Sequence, residues 1–188
     1  MRSLNEELFL WIFNLAHQNI WLDRLLIFTA QYLPYILFLS ALVLIFSEPG
    51  WKRRIFFASH LVLVIVVARG IIVEALNYFY PTLRPFEVLE IQPLFTVVGS
   101  SFPSSHATIF FGLTAVIFYL NRKWGWWYFL LVTINALARV AVGVHWPLDI
   151  AVGALIGVLS AVMVYQLLEV YFKKISLPQA VKGWEVEK

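Results

Sequence analysis

The chain has 188 residues, of which 61% are hydrophobic and 13% charged, with a formal net charge of +3. An average soluble domain is about 45–50% apolar and about 25% charged, so this composition excludes an ordinary soluble protein and indicates a lipid environment. The absence of Cys excludes disulfides and thiolate metal sites, and without a basic stripe nothing points to nucleic acid. No linker-like stretch divides the chain, so a single domain over residues 1–188 is expected.

The predicted elements are all helices. Residues 5–17 are apolar on one side and too short to span a bilayer, so we expect an interfacial helix anchored by Trp11 and Phe13. Five apolar segments follow, and all but the third approach the about 20 residues that a span needs. They cover residues 22–46, 55–78, 107–120, 126–144 and 148–172. The sequence thus predicts an all-α transmembrane bundle with five spanning helices and one interfacial helix.

Basic residues indicate how this bundle is oriented. They cluster in three predicted loops: Lys52, Arg53 and Arg54; Arg122 and Lys123; and Lys173 and Lys174. With five spans all three clusters fall on one side, which the positive-inside rule makes cytoplasmic. The irregular segment 81–103 and the turn at His145 would then face the outside of a bacterial-type plasma membrane.

Two clusters on that outer side contain groups that bind phosphate. Arg84 and Arg139 supply permanently charged planar donors that match phosphate oxygens. Ser104 precedes an apolar helix and is a predicted N-cap, so the free N–H groups of the first turn would form an anion site. His106 lies in that turn, where its ring could protonate a leaving oxygen.

The third cluster contains a nucleophile with its orienting group. Pro147 suits the first turn of the last helix, with His145 just before it and Asp149 inside it. The carboxylate could hold one imidazole nitrogen and leave the other free to attack. Zinc on His106, His145 and Asp149 is conceivable, but two arginines would repel a cation, so we predict neither metal nor cofactor.

The three clusters together resemble a known family. The order Arg-Pro, Pro-Ser-x-His and Arg-x5-His-x3-Asp, over residues 77–149, is similar to the type 2 phosphatidic acid phosphatase superfamily of membrane lipid phosphatases. The resemblance implies that His145 is phosphorylated, Asp149 orients it and His106 is the general acid. The implied phosphate ligands are Arg84, Arg139, Ser104 and Ser105.

The sequence departs from the family pattern at three positions. Asn77 stands where the family has Lys, Ser105 replaces Gly, and Ala138 replaces Ser. Asn77 matters most because it removes a cation from the site. Arg69 lies two turns away, about 12 Å along an ideal helix, and is expected to be a poor replacement.

Two N-terminal motifs refine the resemblance. Trp21-Leu22-Asp23 and the run from Gln31 to Tyr35 are similar to the bacterial undecaprenyl-diphosphatase branch associated with bacitracin resistance. This implies hydrolysis of undecaprenyl diphosphate to the monophosphate, with Asn77 as a feature of the branch. Phosphatidic acid and phosphatidylglycerophosphate remain alternative substrates. A catalytically silent lipid-phosphate-binding protein and a membrane scaffold without a site are the alternatives of other classes.

The remaining polar residues are given structural roles. Glu74 is expected near the site with Asn77, as a structural ion pair with Arg84 or Arg139. The small-residue spacing of Gly153 and Gly157 predicts close helix packing, in the bundle or in a homodimer. The other assignments are structural roles for His17 and His60, and solvated loop charges for Glu87 and Glu90.

Overall fold

A computed structural model describes residues 3–174, with side chains described for residues 3–172. The regular structure of this part is helical throughout, as the sequence predicts. The α-helices are α1 (Leu4–Phe13), α2 (Ile20–Gln31), α3 (Leu33–Phe46), α4 (Trp51–Val64), α5 (Glu74–Phe79), α6 (Pro85–Val88), α7 (Ser105–Leu120), α8 (Arg122–Ala141) and α9 (Pro147–Lys174). A π-helical stretch, Ile65–Val73, joins α4 to α5 in one continuous rod.

Helix starts follow from the capping residues. The Ser104 hydroxyl accepts the N–H of Ala107 at 3.4 Å and caps α7, and Pro147 is the first residue of α9. Asn side chains cap α2 and α8 in the same way. Because these side chains replace the missing intrahelical partners of the first turn, each helix begins where its cap stands. The predicted N-cap at Ser104 and the predicted place of Pro147 are confirmed.

Not all of the predicted spans are evident from length and apolar character. The rod Trp51–Phe79 and α9 are long and apolar enough to cross a membrane, and the bent pair α2–α3 makes a third span if counted as one. Helix α7 has only 16 residues. Helix α8 has 20 residues but carries Asn135, Arg139 and several Trp, which lower its apolar content. Length and composition therefore identify two or three of the five predicted spans.

A proline explains the bend in the first of these spans. Helices α2 and α3 meet at 41°, and Pro34 lies in the first turn of α3. Proline has no N–H to donate four residues back, so the carbonyl of Ala30 loses its helical partner. That carbonyl instead accepts Nη1 of Arg139 in α8 at 3.2 Å. The kink thus provides a hydrogen-bond acceptor for a buried arginine.

Helices α7 and α9 pack in backbone contact through glycines. A Cβ at Gly157 would lie 2.2 Å from the carbonyl oxygen of Thr108, and one at Gly153 would lie 2.6 Å from that of Ser104. The predicted close packing is confirmed, and these glycines serve the bundle interior. A homodimer remains a prediction. Gly153 and Gly157 no longer support it, because both pack against α7 of the same chain.

Helix α1 packs against the turn that precedes α9. Phe9 is fully buried and its ring lies 5.1 Å from that of Trp146, while Trp11 is exposed as expected for an anchor. The Asn5 side chain accepts the N–H of Leu148 at 3.0 Å and caps the first turn of α9 from outside. The predicted helix at 5–17 extends too far at its C-terminal end. Helix α1 ends at Phe13, and His17 has a positive φ of 62°.

The contact between α7 and α9 gives a stability prediction. We expect Gly157→Ala to destabilise the protein by about 1–3 kcal/mol, because the added methyl group must push two backbones apart. The matched control is Gly70→Ala, where a Cβ meets nothing within 4 Å. The measurement is the midpoint of thermal unfolding in detergent. Equal midpoints for the two variants would contradict the close packing.

Candidate active site

The predicted site residues gather where α7 and α9 begin. The backbone N–H of Ser104 donates to the carbonyl of Asp149 at 3.1 Å, which joins the two helix starts directly. Ser104 is completely buried, whereas Ser105 and His106 are partly buried in the first turn of α7. The positive ends of two helix dipoles therefore meet at one place, and this favours an anion there.

His145 faces Asp149 across the start of α9. Its Nδ1 lies 3.5 Å from Oδ2 of Asp149, and both side chains are nearly fully buried. This separation is long for a hydrogen bond, and Nδ1 has no other partner in the described part of the chain. Catalytic hydrogen bonds are often long in empty sites and shorten when the substrate binds. The contact fixes which ring nitrogen faces the carboxylate and leaves Nε2 on the opposite side.

Asp149 is held by two further donors. Its Oδ2 accepts the Ser101 hydroxyl at 2.5 Å and the backbone N–H of Trp146 at 2.9 Å. Both are bonds to a charged acceptor, which are stronger than bonds between neutral groups. Ser101 is fully buried, and sequence reasoning missed it because nothing in the pattern distinguishes it from the neighbouring serines of this segment. It positions the residue that orients His145.

The Arg84 side chain faces the site and also donates hydrogen bonds to backbone carbonyls. Its Nε, Nη1 and Nη2 donate to the carbonyls of Gly99, Val144 and Ser100 at 2.8–3.1 Å. These bonds tie the 81–103 segment to the residue before His145. They use three of the five guanidinium N–H groups, so one on each terminal nitrogen is left over. Arg84 remains a predicted phosphate ligand through these two N–H groups.

Arg139 is buried, and its Nε donor has no partner in the described part of the chain. Its side chain is 3% exposed, Nη1 donates to Ala30, and Nε has no partner among the described residues. An unsatisfied buried donor is costly, and each such group requires an explanation. Asn135, one turn earlier on α8, donates to the carbonyl of Thr29 at 2.6 Å and braces the same kink. Sequence reasoning missed this role of Asn135.

His106 lies within a concentration of positive charge. The charges of Arg139, Arg84 and Arg69 all lie close enough to act on its ring, as does His145. The ring also lies over Phe110, with centroids 6.2 Å apart. The structure thus brings His106, His145, Arg84 and Arg139 together, as the sequence motifs predict.

Two acidic residues have partners that the sequence did not indicate. Glu74 pairs with Arg69 at 2.9 Å, and not with Arg84 or Arg139. The reason is the π-helical stretch, whose wider turn places residues five apart on one face. Glu87 accepts the backbone N–H of Arg84 at 2.7 Å, so it is a local cap as well as an exposed loop charge. Asn77 has a buried Oδ1 without a partner among the described residues.

The histidines outside the site have local roles. His60 is fully buried, and its ring Nε2 lies 2.8 Å from the carbonyl oxygen of Ala161, which links α4 to α9. The His17 ring lies 3.0 Å from the carbonyl of Gln92 and contacts the 81–103 segment. Both positions fit the structural roles assigned from the sequence. Within residues 3–174, no group of three His, Cys, Asp or Glu side chains is arranged to hold a metal ion.

Burial and charge lower the proton affinity of two site groups. Burial lowers the pKa of His145 to about 4; Asp149 opposes this shift, and the charges of Arg139 and Arg84 add to it. Burial also lowers the pKa of Arg84, against the opposing charges of Asp149 and Glu87. At neutral pH the His145 ring is therefore an uncharged imidazole, which is the nucleophilic form.

The helical bundle buries a His–Asp pair and two arginines, Arg84 and Arg139. Residues 57–173 match the PAP2 superfamily, and the chain belongs to this family. The resemblance found in the sequence motifs is thereby confirmed.

Individual proteins and a solved structure are also similar to this chain. The chain is 32% identical to the bacitracin transport permease protein BcrC of Bacillus licheniformis, over 87% of this chain and 80% of that protein. It is 29% identical to the undecaprenyl-diphosphatase BcrC of Bacillus subtilis, over 78% and 75%. The crystal structure of Aquifex aeolicus LpxE matches with a TM-score of 0.71 and 29% identity, over 88% of this chain and 96% of that one.

The low proton affinity of His145 can be measured directly. In ¹⁵N-histidine-labelled protein in detergent, we expect the ring signals of His145, assigned with His145→Gln, to titrate near pH 4. A pKa below the ordinary value of about 6.5 keeps the ring neutral as the pH falls through 6 and 5. A midpoint at or above 6.5 would contradict the account of burial and neighbouring arginines.

Proposed function

We propose that this protein is a membrane lipid phosphatase that hydrolyses a polyprenyl diphosphate, such as undecaprenyl diphosphate, to the monophosphate. The observation that carries the proposal is the buried Arg139, whose Nε has no hydrogen-bond partner within residues 3–172 and whose charge acts on His145. A phosphoryl group would satisfy that donor together with the remaining N–H groups of Arg84. The same charges would stabilise the transition state of phosphoryl transfer.

The reaction proceeds in two displacements. Nε2 of His145 attacks the terminal phosphorus, the N–P bond forms, and the P–O bond to the leaving group breaks. His106 donates a proton to the departing oxygen, and a water molecule then attacks the phosphohistidine while His106 takes up its proton. The net result is lipid monophosphate and inorganic phosphate.

The charge on His106 depends on what occupies the site. The charges of three arginines act on its ring. A bound diphosphate is strongly negative and offsets those charges, which favours the protonated form that a general acid needs.

The substrate assignment rests on the relatives and on the site. One relative is named an undecaprenyl-diphosphatase, and the chain shares its family. Phosphatidic acid and phosphatidylglycerophosphate carry the same terminal phosphoryl chemistry and remain alternative substrates. A comparison of turnover on the three lipids decides between them.

We also propose a place in the plasma membrane, with the site on the extracytoplasmic face and five spans. In this arrangement α7 and α8 cross the bilayer within the bundle. Short or polar helices are tolerated there because protein, and not lipid, surrounds much of their surface. Helix α7 is buried along most of its length, which supports this arrangement.

A phosphoenzyme experiment tests the mechanism. With undecaprenyl diphosphate labelled at its terminal phosphate, wild-type protein should acquire alkali-stable label on a denaturing gel. His145→Ala should remain unlabelled and lose about a thousandfold or more in kcat, since no other nucleophile is positioned. We expect EDTA to change turnover by less than about twofold, because no step uses a metal.

The controls separate the alternatives. His60→Ala removes a histidine outside the site and should still form the phosphoenzyme if the variant folds. Lipid binding without label or turnover in wild-type protein would favour the silent lipid-phosphate-binding alternative. Loss of turnover in EDTA, restored by a divalent cation, would contradict the metal-independent mechanism.

The absence of Cys makes the topology simple to test. Single substitutions Thr96→Cys, in the 81–103 segment, and Lys123→Cys, at the start of α8, place one thiol at each end of the bundle. In intact cells a membrane-impermeant maleimide should label the first variant and reach the second only after permeabilisation. The opposite pattern would place the site on the cytoplasmic face.

A further inference from the structure

An ion pair lies on a spanning rod where charge is expensive. Arg69 and Glu74 lie on the rod Trp51–Phe79 and are 31% and 58% exposed. Ionisable side chains in such segments almost always face the bundle interior or a wet cavity. The pair therefore indicates a polar space beside the rod, and the question is whether that space belongs to the active site.

The depths of Arg69 and His106 in the bundle indicate that this polar space lies at the level of the active site. Nη2 of Arg53 donates to the carbonyl of Leu120 at 2.9 Å, so the start of α4 is level with the end of α7. Along ideal helices Arg69 then lies about 24 Å above this contact, and His106 about 21 Å. The two antiparallel elements thus bring Arg69 and His106 to nearly the same depth.

The π-helical stretch turns Arg69 and ties it down. Nine residues, Ile65–Val73, have this conformation, which is rare and frequently found at functional sites. The wider turn places Arg69 on one face with Glu74, whose carboxylate lies one turn nearer the outer end. The guanidinium is thereby held toward the outer end of the rod.

Arg69 lies at nearly the same depth as His106, and its charge acts on that ring. The charges acting on His145 are those of Arg139, Arg84 and Asp149. Arg69 acts on His106 instead, together with the same two arginines. In an in-line displacement the nucleophile and the leaving group lie on opposite sides of phosphorus. Since His106 protonates the leaving oxygen, Arg69 is on the leaving-group side.

We propose that Arg69, held by Glu74, binds the leaving phosphate of a diphosphate substrate and so selects lipid diphosphates over lipid monophosphates. This inference rests on the proposed phosphatase function and deepens it. A diphosphate ester leaves as a lipid phosphate, whose negative charge Arg69 would neutralise. A monophosphate ester leaves as an alcohol, which offers Arg69 no such anion.

The test is the ratio of kcat/KM on undecaprenyl diphosphate to that on phosphatidic acid. For Arg69→Gln we expect the diphosphate value to fall about 10–100-fold, as for loss of a charge-assisted hydrogen bond, with the monophosphate value within about twofold. Arg69→Lys should recover part of the ratio. The matched control Arg122→Gln removes an exposed arginine at the start of α8 and should leave the ratio unchanged.

A second variant separates binding from structure. Glu74→Gln removes the carboxylate that holds Arg69 in place, so the ratio of diphosphate to monophosphate turnover should fall, by less than in Arg69→Gln. If Arg69→Gln fails to fold, Glu74→Gln carries the test alone. Equal losses on both substrates in either variant would assign the pair to structure and overturn the inference. Wild-type protein without turnover on either lipid would instead overturn the proposed function and this inference with it.

Discussion

The close approach of α7 and α9 is the constraint on which the site depends. Gly153 and Gly157 let the two backbones touch, and the resulting contact brings Ser104 to Asp149. A side chain at either position would clash with the backbone of α7 and push the two helices apart. The first turn of α7 and the His145–Asp149 pair of α9 are therefore joined by a single packing interaction, and the geometry of the candidate site depends on bundle packing.

The second requirement is to keep charged guanidinium groups buried without a resident anion. The bundle does this with backbone carbonyls that ordinary secondary structure leaves unused. Pro34 frees the carbonyl of Ala30 for Arg139, and the irregular segment before α7 supplies carbonyls to Arg84. Because carbonyls are dipoles and carry no net charge, they stabilise the arginines while leaving their positive potential available to a ligand.

Local rules predicted the helix starts that carry the candidate site, and the failures elsewhere have physical reasons. Spacing and capping correctly placed Ser104 and Pro147, since both depend on the first turn of a helix alone. The partner of Glu74 was wrong because a π-helical stretch has no recognised sequence signature, and an ideal α-helix turns residues five apart to different faces. Ser101 was missed because its role is set by a tertiary contact with Asp149.

The cap that Asn5 provides to Leu148 has a consequence for biogenesis. The two residues are 143 positions apart, so α1 must wait for the synthesis of α9 before this bond can form. At about 5–20 residues per second, synthesis of the intervening chain takes about 7–30 s. The turn that carries His145 thus gains its contact with α1 only after α9 has been made. A partly inserted chain would lack this support.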